Sequence, residues 1–185
     1  MDPDVTLTPD EARASASSID REVQRLNRIV ANLLDLSRIE GGALRARRET
    51  LEVDEAVDRA LRQVRPRLGA RELRVDVPAE LVIDADPVLL DEVLVNLLEN
   101  EASHTPDGTV VAISAVAVDA ARVRLTVEDS GPGVPADALP HLFEKFFQVR
   151  AGGLPADRGD GRSPGATTRR RQGTGLGLAV VRGMT

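Results

Sequence analysis

Two asparagines four residues apart, Asn96 and Asn100, interrupt a stretch that is otherwise strongly apolar (Leu89, Leu90, Val93, Leu94, Val95, Leu97, Leu98). A spacing of four puts both amides on one face of a helix. A buried amide without a partner costs about 1–3 kcal/mol. The pair therefore needs a cap, a core hydrogen bond, or a hydrated metal ion or phosphate. A second group is Asp129-Ser130-Gly131-Pro132-Gly133. The two-residue strand period sets Val123, Leu125, Val127 and Asp129 on one face. The Asp129 carboxylate then points to the core side, where it can accept a hydrogen bond from an amine such as the exocyclic amine of adenine. Gly131 and Gly133 leave room for a planar ligand; a plain turn is the simpler alternative. A third group, Leu142-Phe143-Glu144-Lys145-Phe146-Phe147, holds all three phenylalanines of the chain and reads as an apolar anchor at the base of a loop. The fourth is Gly173-Thr174-Gly175-Leu176-Gly177-Leu178. Glycines directly before a helix let backbone N–H groups reach a polyphosphate, and the helix dipole favours its charge. No strand leads into this run, which argues against a dinucleotide-binding turn.

The elements that must position these groups can be read from periodicity. Thr8 or Asp10 is placed to cap a helix in which Ile19, Val23, Leu26, Val30, Leu33 and Ser37 recur at heptad steps. Ile29, Leu34, Leu36 and Ile39 widen that seam toward a helical bundle, and Gly41-Gly42 ends it. The alternative is an amphipathic helix packed on its own domain. Short strands follow around Leu51–Val53, Leu73–Val77 and Leu81–Ile83, with a helix capped by Asp54 between the first two. Asp86 caps the long apolar helix, with Pro87 at its first position, over about residues 88–103. Pro106-Asp107-Gly108 then turns the chain into two strands, about 109–118 and 122–129. Residues 150–172 are rich in Gly and Pro, and a last helix begins after Gly173.

Composition removes several classes of function. The chain has 185 residues, no Cys and two His, so disulfides, thiolate sites and cysteine nucleophiles are excluded and a structural zinc site is disfavoured. A net charge of −6 suits neither nucleic acid nor an anionic membrane. The six arginines of residues 150–172 have no interleaved aromatic residue and do not make a nucleic-acid patch. No apolar run approaches the roughly 20 residues that span a bilayer. A soluble, cytoplasmic piece is expected, whose parent could be membrane-anchored.

Taken together, Asn96–Asn100, Asp129–Gly133, Phe143–Phe147 and Gly173–Gly177 resemble the N, G1, F and G2 boxes of bacterial sensor histidine kinases. Asp20-Arg21-Glu22-Val23-Gln24-Arg25-Leu26-Asn27 and Leu33-Leu34-Asp35-Leu36-Ser37-Arg38 resemble the second helix of their dimerisation and phosphotransfer hairpin. The resemblance covers residue 10 to the end, and its detail is nearest the potassium-responsive sensor kinases. It implies an α+β fold: a two-layer α/β sandwich, a mixed sheet covered by helices on one face, as in gyrase, Hsp90 and MutL. A long bundle-forming helix would precede it. Residues 1–46 would then be the incomplete hairpin and residues 47–185 the ATP-binding catalytic domain.

The resemblance also implies ATP and Mg²⁺ as cofactors. Asn100 would coordinate the metal and Asn96 would support it. Asp129 would bind adenine, with Gly131 and Gly133 lining the base. Gly173, Thr174, Gly175, Leu176 and Gly177 would face the phosphates, under a lid formed by residues 150–172. The γ-phosphoryl would pass to a histidine on a hairpin helix in cis or in trans, and onward to a response regulator. Neither His104 nor His141 sits in an acceptor motif, so the isolated chain is expected not to phosphorylate itself. The first hairpin helix would precede Met1, and one or two strands would follow the last helix. A homo-oligomer through residues 15–40 is expected. Two positions depart from the family pattern: Glu101 stands where alanine is usual, and Ser103 where a lysine or arginine is usual. A missing cation at Ser103 and an added negative charge at Glu101, both beside the phosphates, are expected to weaken ATP binding. They keep a second reading open, a nucleotide-binding regulatory or scaffold module without turnover.

Overall fold

The computed structural model describes residues 8–41, 46–119, 122–149 and 175–184. Gly173, Thr174 and the 150–172 segment lie outside them. The first element, α1 (Pro9–Glu40), starts where Thr8 closes a capping box: the Glu11 N–H donates to Thr8 Oγ1 at 3.3 Å, and the Thr8 N–H donates to Glu11 Oε2 at 2.9 Å. It ends at Gly41, as the glycine pair predicts.

Next come β1 (Glu49–Glu52) and α2 (Val53–Leu68). Asp54 does not cap α2. The helix already begins at Val53, and the Asp54 side chain accepts only from the next N–H, that of Glu55. Then follow β2 (Glu72–Asp76), β3 (Val82–Ala85), α3 (Pro87–His104), β4 (Val110–Asp119) and β5 (Arg122–Asp129). A short 3₁₀ turn (Leu139–His141) and α4 (Gly177–Met184) complete the order.

The strands form two hydrogen-bonded groups. β1 pairs antiparallel with β3, and β4 lies between parallel β2 and antiparallel β5. Helices α2 and α3 cover the sheet. The core between the layers is built from Val57, Val64 and Leu68 of α2, Leu94 and Leu98 of α3, and Val111 and Ile113 of β4, all essentially without solvent exposure. Val123, Leu125 and Val127 of β5 pack on this cluster. The two-residue period thus holds for β5, and it aims the end of that strand at the same edge of the sandwich as the end of α3. This mixed-sheet, two-layer arrangement is the fold class expected from the sequence.

Asp86 caps α3 as expected, accepting from the Val88 and Leu89 N–H groups. It also accepts from the Arg47 N–H at 2.6 Å, tying the segment before β1 to the start of α3. The other end of α3 is held by Arg71, which is buried. Its guanidinium donates to the carbonyls of Leu68, Ala102 and Thr105 and to Thr105 Oγ1, at 2.6–3.2 Å. Its charge faces Asp107 at 3.7 Å. A buried cation is tolerated only when it is this fully hydrogen-bonded.

Helix α1 meets the domain through a face other than the heptad seam. Leu36 is buried with Leu176, Ala179 and Val180, and Ile29 packs beside them. A Cβ added at Gly183 of α4 would come within 2.9 Å of Ile39, so the two helices touch closely there. Ile19, Val23, Leu26, Val30 and Leu33 are 47–64% exposed. The helix therefore carries two apolar faces, one spent on α4 and one facing out.

Beside the α1–α4 contact, Glu92 of α3 hydrogen-bonds the Asp35 carboxylate of α1. Asp35 is buried and pairs with Arg38 at 3.3 Å. Burial first, then Asp35, pushes the Glu92 carboxyl up to about 7; Asp91 adds to this and Arg38 opposes it. The folded chain therefore keeps a proton that the unfolded chain releases near its ordinary carboxylate value. Stability from this proton is complete below about pH 4.5 and is lost as pH rises through about 7.

Glu92→Gln should accordingly be nearly neutral at pH 5. At pH 8 it should raise the melting temperature, by about 1 kcal/mol or roughly 2–4 °C after allowance for solvent screening. Thermal melts at the two pH values check this. Arg71→Met should cost roughly 3 kcal/mol in urea denaturation, because it strands the carbonyls at the end of α3.

Candidate functional site

The four candidate segments converge on one cleft of about 1090 Å³. Asn96, Asn100 and Glu101 of α3 form one wall. Asp129 and the loop Pro132, Gly133 and Val134 close one end, and Gly175, Gly177 and Leu178 lie along the other. Phe147 and Leu142 reach the cleft from the phenylalanine segment, while Ser18, Gln24 and Asn32 border it from α1.

The geometry gives the cleft a direction. A Cβ at Gly177 would lie 3.1 Å from Asn96 Oδ1, so Asn96 stands against the start of α4. Five residues on, about 7.5 Å along the helix axis, Glu101 hydrogen-bonds the Asp129 carboxylate. The cleft thus runs from a helix N-terminus to a pair of carboxyl groups.

Two further glycines, like Gly177, serve protein contacts. Gly131 N–H donates to Asp129 Oδ1 at 2.6 Å, and a side chain there would come within 2.5 Å of the same oxygen. Gly175 has a φ of +69° and passes so close to Phe146 that a Cβ would meet its backbone at 2.7 Å. The Phe146 N–H donates to Gly175 O at 2.7 Å, and Phe146 itself takes a positive φ of 64°. The phenylalanine and glycine segments are therefore latched backbone to backbone. Gly133, with a φ of +71°, has open space beside its α-carbon and does line the cleft. Leu176 is fully buried against Leu36 and Val180, so its side chain anchors α4 to α1.

The two amides differ. Asn96 Nδ2 donates to the Glu92 carbonyl one turn back at 3.0 Å. The Asn100 amide faces the cleft and makes no hydrogen bond among the described residues. No cluster of three His, Cys, Asp or Glu able to hold a metal occurs among the described residues. A divalent ion here would rest on the Asn100 amide, water and the ligand's own oxygens. This donor set suits Mg²⁺, which keeps several waters and takes few protein ligands.

Ser103 and His104 line the cleft as well, and among its cations Arg67 is paired with Glu99. Glu101 is not placed as expected. It lies at the Asp129 end, away from the α4 N-terminus. Burial, then the charge and hydrogen bond of Asp129, push its carboxyl up to about 7, with Arg71 opposing. Sequence reasoning missed the Glu101–Asp129 and Asp35–Glu92 pairs and Arg71. Each joins residues far apart in the chain, and Arg71 stands in a local pattern of charged residues that carries no signal of burial.

No described helix is long and apolar enough to cross a membrane. Among curated proteins, the chain is similar to the sensor protein KdpD of Mycobacterium tuberculosis (strain CDC 1551 / Oshkosh), 35% identical over 97% of this chain and 19% of that protein. It spans about a fifth to a third of the length of the curated relatives it matches. Among solved structures it is similar to the Acinetobacter baumannii histidine kinase AdeS, with a TM-score of 0.72 and 25% identity over 98% of this chain and 76% of the other. Full-length ShkA in complex with AMPPNP matches 97% of this chain and 34% of its own, at a TM-score of 0.69 and 25% identity. Residues 85–185, which contain the whole of the cleft's α3, β5 and α4 walls, match the family model for the histidine kinase-, DNA gyrase B- and HSP90-like ATPases, and the chain belongs to that family.

Proposed function

We propose that this chain is the ATP-binding catalytic core of a sensor histidine kinase in two-component signal transduction. Such a core transfers the γ-phosphoryl of ATP to a histidine that this chain does not contain. The observation that carries the reading is the Asn100 amide, turned into the cleft without a hydrogen-bond partner among the described residues, between the Asp129 carboxylate at one end and the start of α4 at the other. In this assignment Asp129 accepts from the adenine amine and Gly133 lies against the base. Gly175, Gly177 and the adjoining Gly173 and Thr174 lie along the phosphates. Asn100 holds Mg²⁺, which when bound neutralises charge on the phosphates; Asn96 supports it by fixing the wall of α3. The work of the protein is positioning and charge complementarity. The likeness to KdpD, AdeS and AMPPNP-bound ShkA supports this reading. The partners are an acceptor-histidine hairpin helix in cis or trans and, indirectly, a response regulator. The working side is the cytoplasmic one, whatever anchors the parent protein.

The test is transfer of labelled phosphate from ATP to an added acceptor-hairpin protein. Transfer should occur with Mg²⁺, and Asn100→Ala should abolish it together with Mg²⁺-dependent nucleotide binding, leaving the melting temperature within a few degrees. Nucleotide binding that depends on Mg²⁺ with no transfer at all would favour the regulatory or scaffold module, which Ser103 supports by removing a cation from the cleft wall. If Asn100→Ala leaves the Mg²⁺ dependence intact, Asn100 is not the ligand.

The exposed seam of α1 suits a partner helix. Fully burying one such aliphatic side chain is worth roughly 1.5–3 kcal/mol, and five lie exposed on one face. Residues 15–40 are therefore assigned to a homo-oligomer. Light scattering across a concentration series should show dimers or larger species. Val23→Glu with Val30→Glu should give monomers that bind nucleotide unchanged, since neither side chain lines the cleft or the α4 contact.

A further inference from the structure

We infer that Glu101 is a second acceptor for the exocyclic amine of the purine base and thereby sets how strictly this cleft selects adenine. The inference rests on the proposed reading of Asp129 as the base-binding carboxylate. Glu101 hydrogen-bonds Asp129, and both line the same end of the cleft as Pro132, Gly133 and Val134. Asp129 is already engaged: its Oδ1 takes the Gly131 N–H at 2.6 Å. An exocyclic amine has two N–H bonds, and one partly occupied carboxylate satisfies one of them well. The second N–H, buried without an acceptor, would cost affinity. A carboxyl group offers an acceptor oxygen whether or not it carries a proton, so Glu101 can take that second N–H in either state.

The position is held firmly. The Thr105 N–H and Oγ1 both donate to the Glu101 carbonyl, at 3.1 and 2.6 Å. Thr105 is in turn gripped by the buried Arg71, through Oγ1 at 2.9 Å and its carbonyl at 2.6 Å. The guanidinium that fixes this turn also opposes the upward shift of the Glu101 carboxyl. A base with a keto oxygen in place of the amine would set a lone pair against two carboxyl groups, and a site built to hydrogen-bond a donor rejects an analogue lacking it.

The experiment is equilibrium binding of ATP, N6-methyl-ATP and inosine triphosphate, with Mg²⁺, to the full chain and to Glu101→Ala, Glu101→Gln and Asp129→Asn. The native chain should prefer ATP to both analogues. Glu101→Ala should reduce the ATP-over-inosine preference about tenfold, the value of one hydrogen bond to a charged group. It should also shrink the penalty for the N6-methyl group, since that amine has already lost one N–H. Glu101→Gln keeps an acceptor oxygen and should stay within about threefold of native, which separates base reading from any change in folding; melts of each variant accompany the titrations. The inference is overturned if Glu101→Ala leaves both ratios within about twofold of native while Asp129→Asn collapses them. It is equally overturned if Glu101→Ala tightens all three nucleotides alike, which would make Glu101 a source of repulsion only. If Asp129→Asn also leaves the ratios unchanged, the base does not sit at this end, and the reading of Asp129 fails along with the inference built on it.

Discussion

Leu94 and Leu98 are fully buried between α2 and β4, and this packing decides which way the rest of α3 faces. With these two leucines pointing into the sandwich, Asn96 and Asn100 on the opposite face must turn toward the cleft, while Glu101, seven residues after Leu94, stays on the leucine side and meets the cleft at its Asp129 end. One helix is at once core and wall. Its two ends cannot drift, because Asp86 caps the first turn and Arg71 binds the carbonyls of the last. Loss of register in α3 would misplace every amide and carboxyl of the site together.

The cleft is assembled by close backbone contact as much as by side chains. Gly131 folds onto Asp129, Gly175 onto Phe146, and Gly177 onto Asn96. Gly131 closes a tight local turn, while Gly175 and Gly177 each remove a side chain where two segments far apart in sequence must touch. The close approach that glycine permits is thus used first to join the walls of the site to one another, and only at Gly133 to leave open space beside the cleft.

Helix α1 ties this site to whatever lies beyond the domain. Its Leu36 face is buried on α4, whose first residues line the cleft, while its heptad face looks outward. One helix thus carries both the exposed seam and the contact with the wall of the cleft. The Asp35–Glu92 pair sits beside that junction and places a carboxyl pushed up to about 7 between α1 and α3. Among the described groups, Arg38 and Asp91 are the charges that modulate it.

The sequence by itself determined the elements and the cast of the site. Capping at Thr8 and Asp86, the breaks at Gly41 and Pro106-Asp107-Gly108, the alternation in β5 and the Asn96–Asn100 spacing are local patterns, and local backbone physics fixes them. The two-layer class and the meeting of the four segments came from their joint resemblance to the sensor kinases rather than from any local pattern. Tertiary structure alone decided the pairings between distant residues. Periodicity gave α1 one wide apolar surface; only the presence of α4 split it into a buried face at Leu36 and an exposed seam at Val23 and Val30. Composition marked Arg71 as one more surface charge, and only the carbonyls left open at the end of α3 make its burial favourable. Glu101 was legible as an unusual residue beside Asn100, but its partner lies 28 residues later, at the end of β5. Which end of the cleft it serves depends on where β5 ends in space, and that is set by core packing along the whole sheet.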